Sequence, residues 1–152
     1  MDNPGIKELG TVALAAINAA TTATVVTSAS DANGQTQAYL DRMEGMLAAS
    51  IEANFTYGSS GGDTLKVMVE TSLDQGQTWI EVARLAFAQA SAQKVVNLSG
   101  LTPVTAVYAP AALSDDTVKD GIFGLWFRAS ILKGGGAAYA GNTALSIRMI
   151  AR

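Results

Sequence analysis

The strongest constraint on this chain is a period of two in its apolar residues. Across residues 46–57, Leu47, Ala49, Ile51, Ala53, Phe55 and Tyr57 share one face of an extended backbone, while Ser50, Glu52, Asn54 and Thr56 share the other. Successive side chains of a strand point to opposite sides, so the segment predicts a strand with one buried face. Leu65, Val67 and Val69 repeat the pattern after Gly58-Ser59-Ser60-Gly61-Gly62-Asp63, and that loop predicts a hairpin between the two strands. Ile80 and Val82 continue the alternation, after which the apolar parity moves to Leu85 and Phe87. A β-bulge near Ala83-Arg84 accounts for the change. Phe123, Leu125, Phe127, Ala129 and Ile131 mark a further strand, and Leu145, Ile147 and Met149 the last one. The loop running from Gly134-Gly135-Gly136 to Gly141-Asn142 is expected to join these two as another hairpin. Weaker strands are expected at 12–17, 22–28 and 94–98, and a turn at 38–43 is the only helical signal.

These segments, about eight short strands with glycine-rich turns, predict one all-β domain over residues 1–152, a β-sandwich of jelly-roll-like type. The stretch 99–121 supplies the long crossing connection such a topology needs. At 152 residues the chain can bury roughly two-thirds of its unfolded surface without staples.

Composition then removes chemistry. The chain has no Cys and no His, which excludes disulfides, thiolate or imidazole metal sites, Cys nucleophiles and His acid–base catalysis. Charged residues are 15% of the chain, against about 25% in an ordinary soluble domain, and apolar residues are 49%. A surface with so few charges suits a protein covered by partners, and equally an Ala-rich domain of bacterial type with no such cover. A net charge of −3 without a Lys/Arg cluster argues against nucleic-acid binding. Residues 11–26 are apolar but Thr-rich, interrupted by Asn18 and shorter than a membrane span, so they are expected to be structure and no membrane contact is implied.

Ser72-Leu73-Asp74-Gln75-Gly76-Gln77-Thr78-Trp79 resembles the Asp-box motif, S-x-D-x-G-x-T-W, known from sialidase propellers and other β proteins. Its physics is local: Asp74 accepts backbone N–H bonds across a turn, Gly76 supplies a positive φ, and Trp79 packs over the hairpin. Ser72, Asp74, Gly76, Thr78 and Trp79 are therefore expected to build a structural turn. In families that carry the motif it lies away from the active site, and a propeller would need several copies.

Other groups are weaker candidates. Asp115, Asp116 and Asp120 offer oxygen ligands to Ca²⁺ but lack EF-hand spacing, and a solvated acidic turn is the plainer reading. Glu52, Glu70 and Glu81 lie on the polar phase of expected strands, where two could face each other like a glycosidase pair, or simply face solvent or an interface. The glycine loops at 58–62 and 134–136 lead into no helix and are not phosphate cradles. No catalytic residue, metal or cofactor is expected. Trp126 and Arg128, opposite in phase to Phe127, are candidate interface anchors, with packing in a second layer as the alternative for Trp126. Residues 1–28, with the uncharged stretch 11–28, are a candidate arm or edge strand that contacts neighbouring chains through residues such as Val12 and Leu14, the alternative being that the segment completes its own sandwich.

Taken whole, residues 62–152 resemble small structural proteins of tailed-bacteriophage morphogenesis clusters. The resemblance rests on Asp63-Thr64-Leu65-Lys66-Val67, the Asp-box segment, Asn97-Leu98-Ser99, Thr102-Pro103-Val104-Thr105, Asp120-Gly121-Ile122 and Tyr139-Ala140-Gly141-Asn142-Thr143. It implies a non-enzymatic virion component, a decoration or cement protein on the capsid surface, assembled in the bacterial host cytoplasm. The implied partners are the major capsid protein and copies of the chain itself as a homo-oligomer. A head–tail connector or tail component fits the same resemblance, and a carbohydrate-binding module is the alternative suggested by the Asp box and the aromatic residues.

Overall fold

The computed structural model describes residues 5–14, 23–135 and 137–152. Among them run eleven strands: β1 (Gly5–Ala13), β2 (Thr24–Val25), β3 (Ala29–Ser30), β4 (Thr36–Gln37), β5 (Ala48–Thr56), β6 (Leu65–Ser72), β7 (Ile80–Phe87), β8 (Ala92–Ser99), β9 (Thr117–Val118), β10 (Trp126–Lys133) and β11 (Ala144–Ala151). The fold is all-β, with no α-helix among the described residues. The strands form a four-stranded sheet in the order β1-β11-β5-β8, a five-stranded sheet in the order β2-β10-β6-β7-β9, and the ribbon β3-β4. All pairings are antiparallel, and neither large sheet closes into a barrel.

The alternation selects the buried face. In β5, Ala49, Ile51, Ala53 and Phe55 are buried, and Leu145, Ile147, Met149 and Ala151 of β11 line up beside them. From the other sheet come Leu65, Val67 and Val69 of β6, Leu85 and Phe87 of β7, and Phe127, Ala129 and Ile131 of β10. These residues form one hydrophobic cluster shared by both sheets. Each large side chain removed from water there contributes about 1.5–3 kcal/mol. Leu47 and Leu125 carry the right parity but lie just outside their strands and stay exposed, while Met46 turns inward instead.

Neither expected hairpin of the glycine loops forms. β5 and β6 lie in different sheets, and so do β10 and β11. Edge-to-edge pairing would leave two apolar faces side by side with nothing to cover them, whereas crossing between sheets lets each cover the other. The two crossing loops also bind one another. Gly62 N–H donates to Ala137 O at 2.8 Å, Ala140 N–H to Ser60 O at 3.0 Å, and the Tyr139 hydroxyl to Asp63 O at 2.6 Å. Gly61 and Gly62 have φ of 80° and 70°, and a Cβ on Gly62 would lie 1.9 Å from the Tyr139 ring, so only glycine fits this crossing. Gly136 lies outside the described residues.

Three smaller expectations also shift. The bulge in β7 falls at Val82, which the register skips between Glu81 and Ala83, so Val82 and Ala83 are both buried. Residues 38–43 are not helical; Leu40 instead makes a bridge to Phe127, with reciprocal N–H···O bonds of 2.7 and 2.9 Å. The first strand is not 12–17 but β1, which pairs along β11 of its own chain, and the expected strand at 22–28 shortens to β2; residues 15–22 lie outside the described residues. Leu14 is 1% exposed in the chain's own core, so this residue offers no surface to a neighbour; Val12 is half-buried against the same core.

After β1 the chain reaches the other sheet through residues 24–27. The buried Thr27 hydroxyl accepts the Ala129 N–H at 2.7 Å and donates to Leu9 O at 2.5 Å, linking β10 to β1. Thr27→Val keeps the shape but orphans both backbone groups. We expect a loss of about 1–3 kcal/mol, read as a lower denaturation midpoint with an unchanged m-value. An unchanged midpoint would refute the bridging role.

Candidate functional site

The Asp-box segment forms the turn between β6 and β7. Ser72 is fully buried, and its hydroxyl accepts the Gly76 N–H at 2.7 Å while donating to Asp74 Oδ1 at 2.9 Å. Asp74 Oδ1 accepts the Thr78 N–H at 2.8 Å, and Oδ2 accepts the Thr78 hydroxyl at 2.7 Å. These donors, the Thr78 N–H foremost, hold the Asp74 carboxyl below its ordinary value of 3.8. Gln75 and Gly76 turn the backbone with φ of 57° and 84°.

Trp126 and Arg128 sit against this turn. Tyr39 stacks on Trp126 with centroids 4.1 Å apart and an interplanar angle of 7°, and the backbone of Gly76 approaches the same indole so closely that a Cβ would lie 2.7 Å from it. Arg128 places its guanidinium 4.2 Å over the Trp79 ring and donates to both Glu70 oxygens, at 2.7 and 3.3 Å. Ser130 Oγ adds a bond of 2.8 Å to the same carboxylate. Both candidate anchors are thus half-buried and engaged within the chain, where they tie β10 to the β6–β7 turn.

The acidic candidates are distributed in the same way. Glu70 and Glu81 do face each other across β6 and β7, but each is held by its own arginine, Glu81 by Arg84 at 2.6 and 2.8 Å. Asp115 pairs with Lys66 at 3.0 Å, Asp116 accepts from Lys94 at 2.6 Å and from the Ala86 N–H at 3.0 Å, and Asp120 accepts the Ser99 N–H at 2.8 Å. The three aspartates therefore fasten the long connection to three different strands. They do not converge, and no group of metal-ligating side chains forms among the described residues.

Glu52 belongs to a different surface, the outer face of the four-stranded sheet. There Glu8, Arg148, Glu52 and Val95 stand in one cross-strand row, and Ile6, Ile150 and Ser50 in the next. Ile6 is 72% exposed, Val95 60% and Ile150 45%, and together with Arg148 and Glu52 they line a shallow hollow of about 210 Å³. Leu101 and Val107 in the long connection are also exposed. Sequence reasoning did not single out these residues. The signal was present, since Ile150 and Val95 are apolar residues on the solvent phase of alternating strands.

Set beside family models, curated proteins and solved structures, the chain matches none of them.

Two outcomes test the turn. Gly76→Val must adopt a left-handed backbone and displace the Trp126 ring, so we expect more than about 1 kcal/mol of destabilisation, or roughly 2–4 °C in Tm per kcal/mol. Asp74 titrates at a lower pH folded than unfolded, so its stabilisation is present above 3.8 and is lost as pH falls through the lower folded value. The Tm gap between wild type and Asp74→Ala should hold at neutral pH and shrink below pH 3.8; a gap equally large in strong acid would contradict the carboxylate's role.

Proposed function

We propose that this chain is a non-enzymatic structural protein that works by docking on other protein chains, in the specific form of a decoration or cement protein on a tailed-phage capsid. The observation that carries this reading is the open outer face of β1-β11-β5-β8, where Ile6, Ile150 and Val95 stand in solvent. Apolar residues grouped on one face of a low-charge surface mark a contact site. The phage assignment rests on the sequence resemblance, and the partners are then the major capsid protein and copies of the chain itself, on the capsid surface.

The strand order supports reading the fold as a jelly-roll β-sandwich. In chain order β1, β2, β5, β6, β7, β8, β10 and β11 pass between the sheets so that β1-β11-β5-β8 faces β2-β10-β6-β7, the arrangement of two interlocked Greek keys. Jelly rolls occur in capsid and lectin domains alike, so the fold does not choose the function. Against a sugar platform stands the engagement of both indoles, Trp126 by Tyr39 and Trp79 by Arg128.

Quantitative mass spectrometry of the particle whose genome encodes the chain is the decisive measurement. Copies on the order of hundreds per particle fit capsid decoration at repeated symmetry junctions. A dozen or fewer would move the chain to a connector or tail ring, and its absence from the particle would overturn the virion assignment.

A further inference from the structure

Edge strands present unpaired N–H and C=O groups that attract another strand, and proteins normally shorten, charge, bulge or cover them. Two of the four edges of the two large sheets are short, and a third is interrupted midway. The outer strands of the five-stranded sheet, β2 and β9, have two residues each. β1 carries a register shift between Glu8 and Gly10, the Thr27 hydroxyl occupies its Leu9 carbonyl, and Val26 lies against Gly10.

The fourth edge is β8, Ala92–Ser99, which pairs with β5 without a register shift. At its end, Ser99 N–H donates to Asp120 Oδ1 and Ser99 O accepts the Gly121 N–H, both at 2.8 Å, so the backbone groups of Ser99 point away from β5. In an antiparallel ladder this orientation repeats every second residue, so those of Asn97, Val95 and Gln93 point outward as well. None of them is bonded to another described part of the chain. The strand contains no proline, and its one charge, Lys94, is directed toward Asp116 and the Phe87 ring rather than guarding the edge.

We propose that β8 pairs with β8 of a second copy of this chain, antiparallel about a two-fold axis at Val95, joining two four-stranded sheets into one. The geometry of the edge selects this occupant. Sheet-to-sheet addition in a head-to-tail manner needs a second continuous edge, and β1 is interrupted at Leu9–Gly10 by its register shift, the Thr27 hydroxyl and Val26, so an isologous contact between two β8 strands is the one that matches edge to edge. The register centred on Val95 uses every free group, setting Val95 against Val95 and Gln93 against Asn97 in about six backbone hydrogen bonds. It also sets Lys94 against Val96, so like charges do not meet. Gln93 and Asn97 bring amide groups to the same face, and Asn97 keeps donors free because its Oδ1 accepts from Ser50. The two exposed Val95 side chains then meet on the outer face, continuing the apolar surface formed by Ile6 and Ile150.

A ladder of this length buries less than a standard interface of about 1,600 Å², so association should depend on concentration. Sedimentation of the purified protein from about 10 µM to 1 mM should show the mass rising from monomer to dimer. Val95→Pro removes only an outward N–H and should weaken the dimer at least tenfold with an unchanged melting temperature. If that variant does not fold, Val95→Lys places like charges across the axis and should give the same loss. The chain has no cysteine, so Val95→Cys gives a clean register test: its Cα lies about 5.5 Å from its symmetry mate in a hydrogen-bonded pair, within disulfide reach. It should cross-link on mild oxidation, whereas Gln93→Cys, roughly 13 Å from its mate, should not. A protein monomeric throughout, a dimer insensitive to both Val95 variants, or no Val95→Cys cross-link would each overturn the proposal. A monomer that instead captures a foreign extended segment would assign the edge to another partner and equally overturn it. These measurements need no virion, so they stand or fall apart from the capsid assignment.

Discussion

Phe55 of the four-stranded sheet meets Phe87 of the five-stranded sheet with ring centroids 5.4 Å apart, and around that contact the inward faces of both sheets close. The long strands have one main apolar face, and no helix among the described residues covers it, so that face is buried against the other sheet. Much else follows from this requirement. Chain segments must cross between sheets rather than return beside themselves, and the crossings must be compact enough to leave the core sealed. Residues 57–64 and 137–143 meet this demand by bonding to each other, which explains why glycine stands where Tyr139 and the Ala138 carbonyl press closest.

Polar groups complete the seal where apolar ones cannot. Thr27 is buried between a strand of each sheet and satisfies a donor on one and an acceptor on the other. Leaving both unmet would cost more than the bond itself contributes. Asp116 and Asp120 act similarly at the opposite side, receiving backbone N–H groups from β7 and β8 and so anchoring a long connection with little regular structure. Carboxylates in such positions are structural fasteners of the long connection.

The alternation made the inward residues of β5, β6, β10 and β11 legible, because a period of two has few other meanings. Partner choice was not legible. Whether β5 pairs with β6 or packs across from it depends on contacts distant in sequence, and a glycine-rich loop of moderate length serves a hairpin or a crossing equally well. In the Asp-box turn, the acceptor role of Asp74 and the positive φ of Gly76 are local features that a sequence can suggest, whereas the bond from the Gly76 N–H to the buried Ser72 hydroxyl was not foreseen. Trp126 and Arg128 were recognisable as important side chains, but their partners Tyr39 and Glu70 are remote, so only the folded chain shows that they face inward to the turn. Leu14 resembled an edge residue because the pattern around it is weak, yet it completes the core beside β1.

The low charge of the chain acquires a location from this arrangement. On the outer face of the five-stranded sheet, polar side chains are consumed in pairs, Glu70 with Arg128 and Glu81 with Arg84, and residues 110–112 of the long connection lie over them. The outer face of the four-stranded sheet has no such cover among the described residues, and there the apolar residues Ile6, Ile150 and Val95 take positions that alternation would give to polar ones. A sheet that needed only to be soluble would gain from charges at these sites, since exposed apolar side chains contribute nothing to the core. Their grouping falls on the face bounded by β8, whose outward backbone groups have no partner among the described residues, so an unpaired polar edge and an exposed apolar face lie side by side.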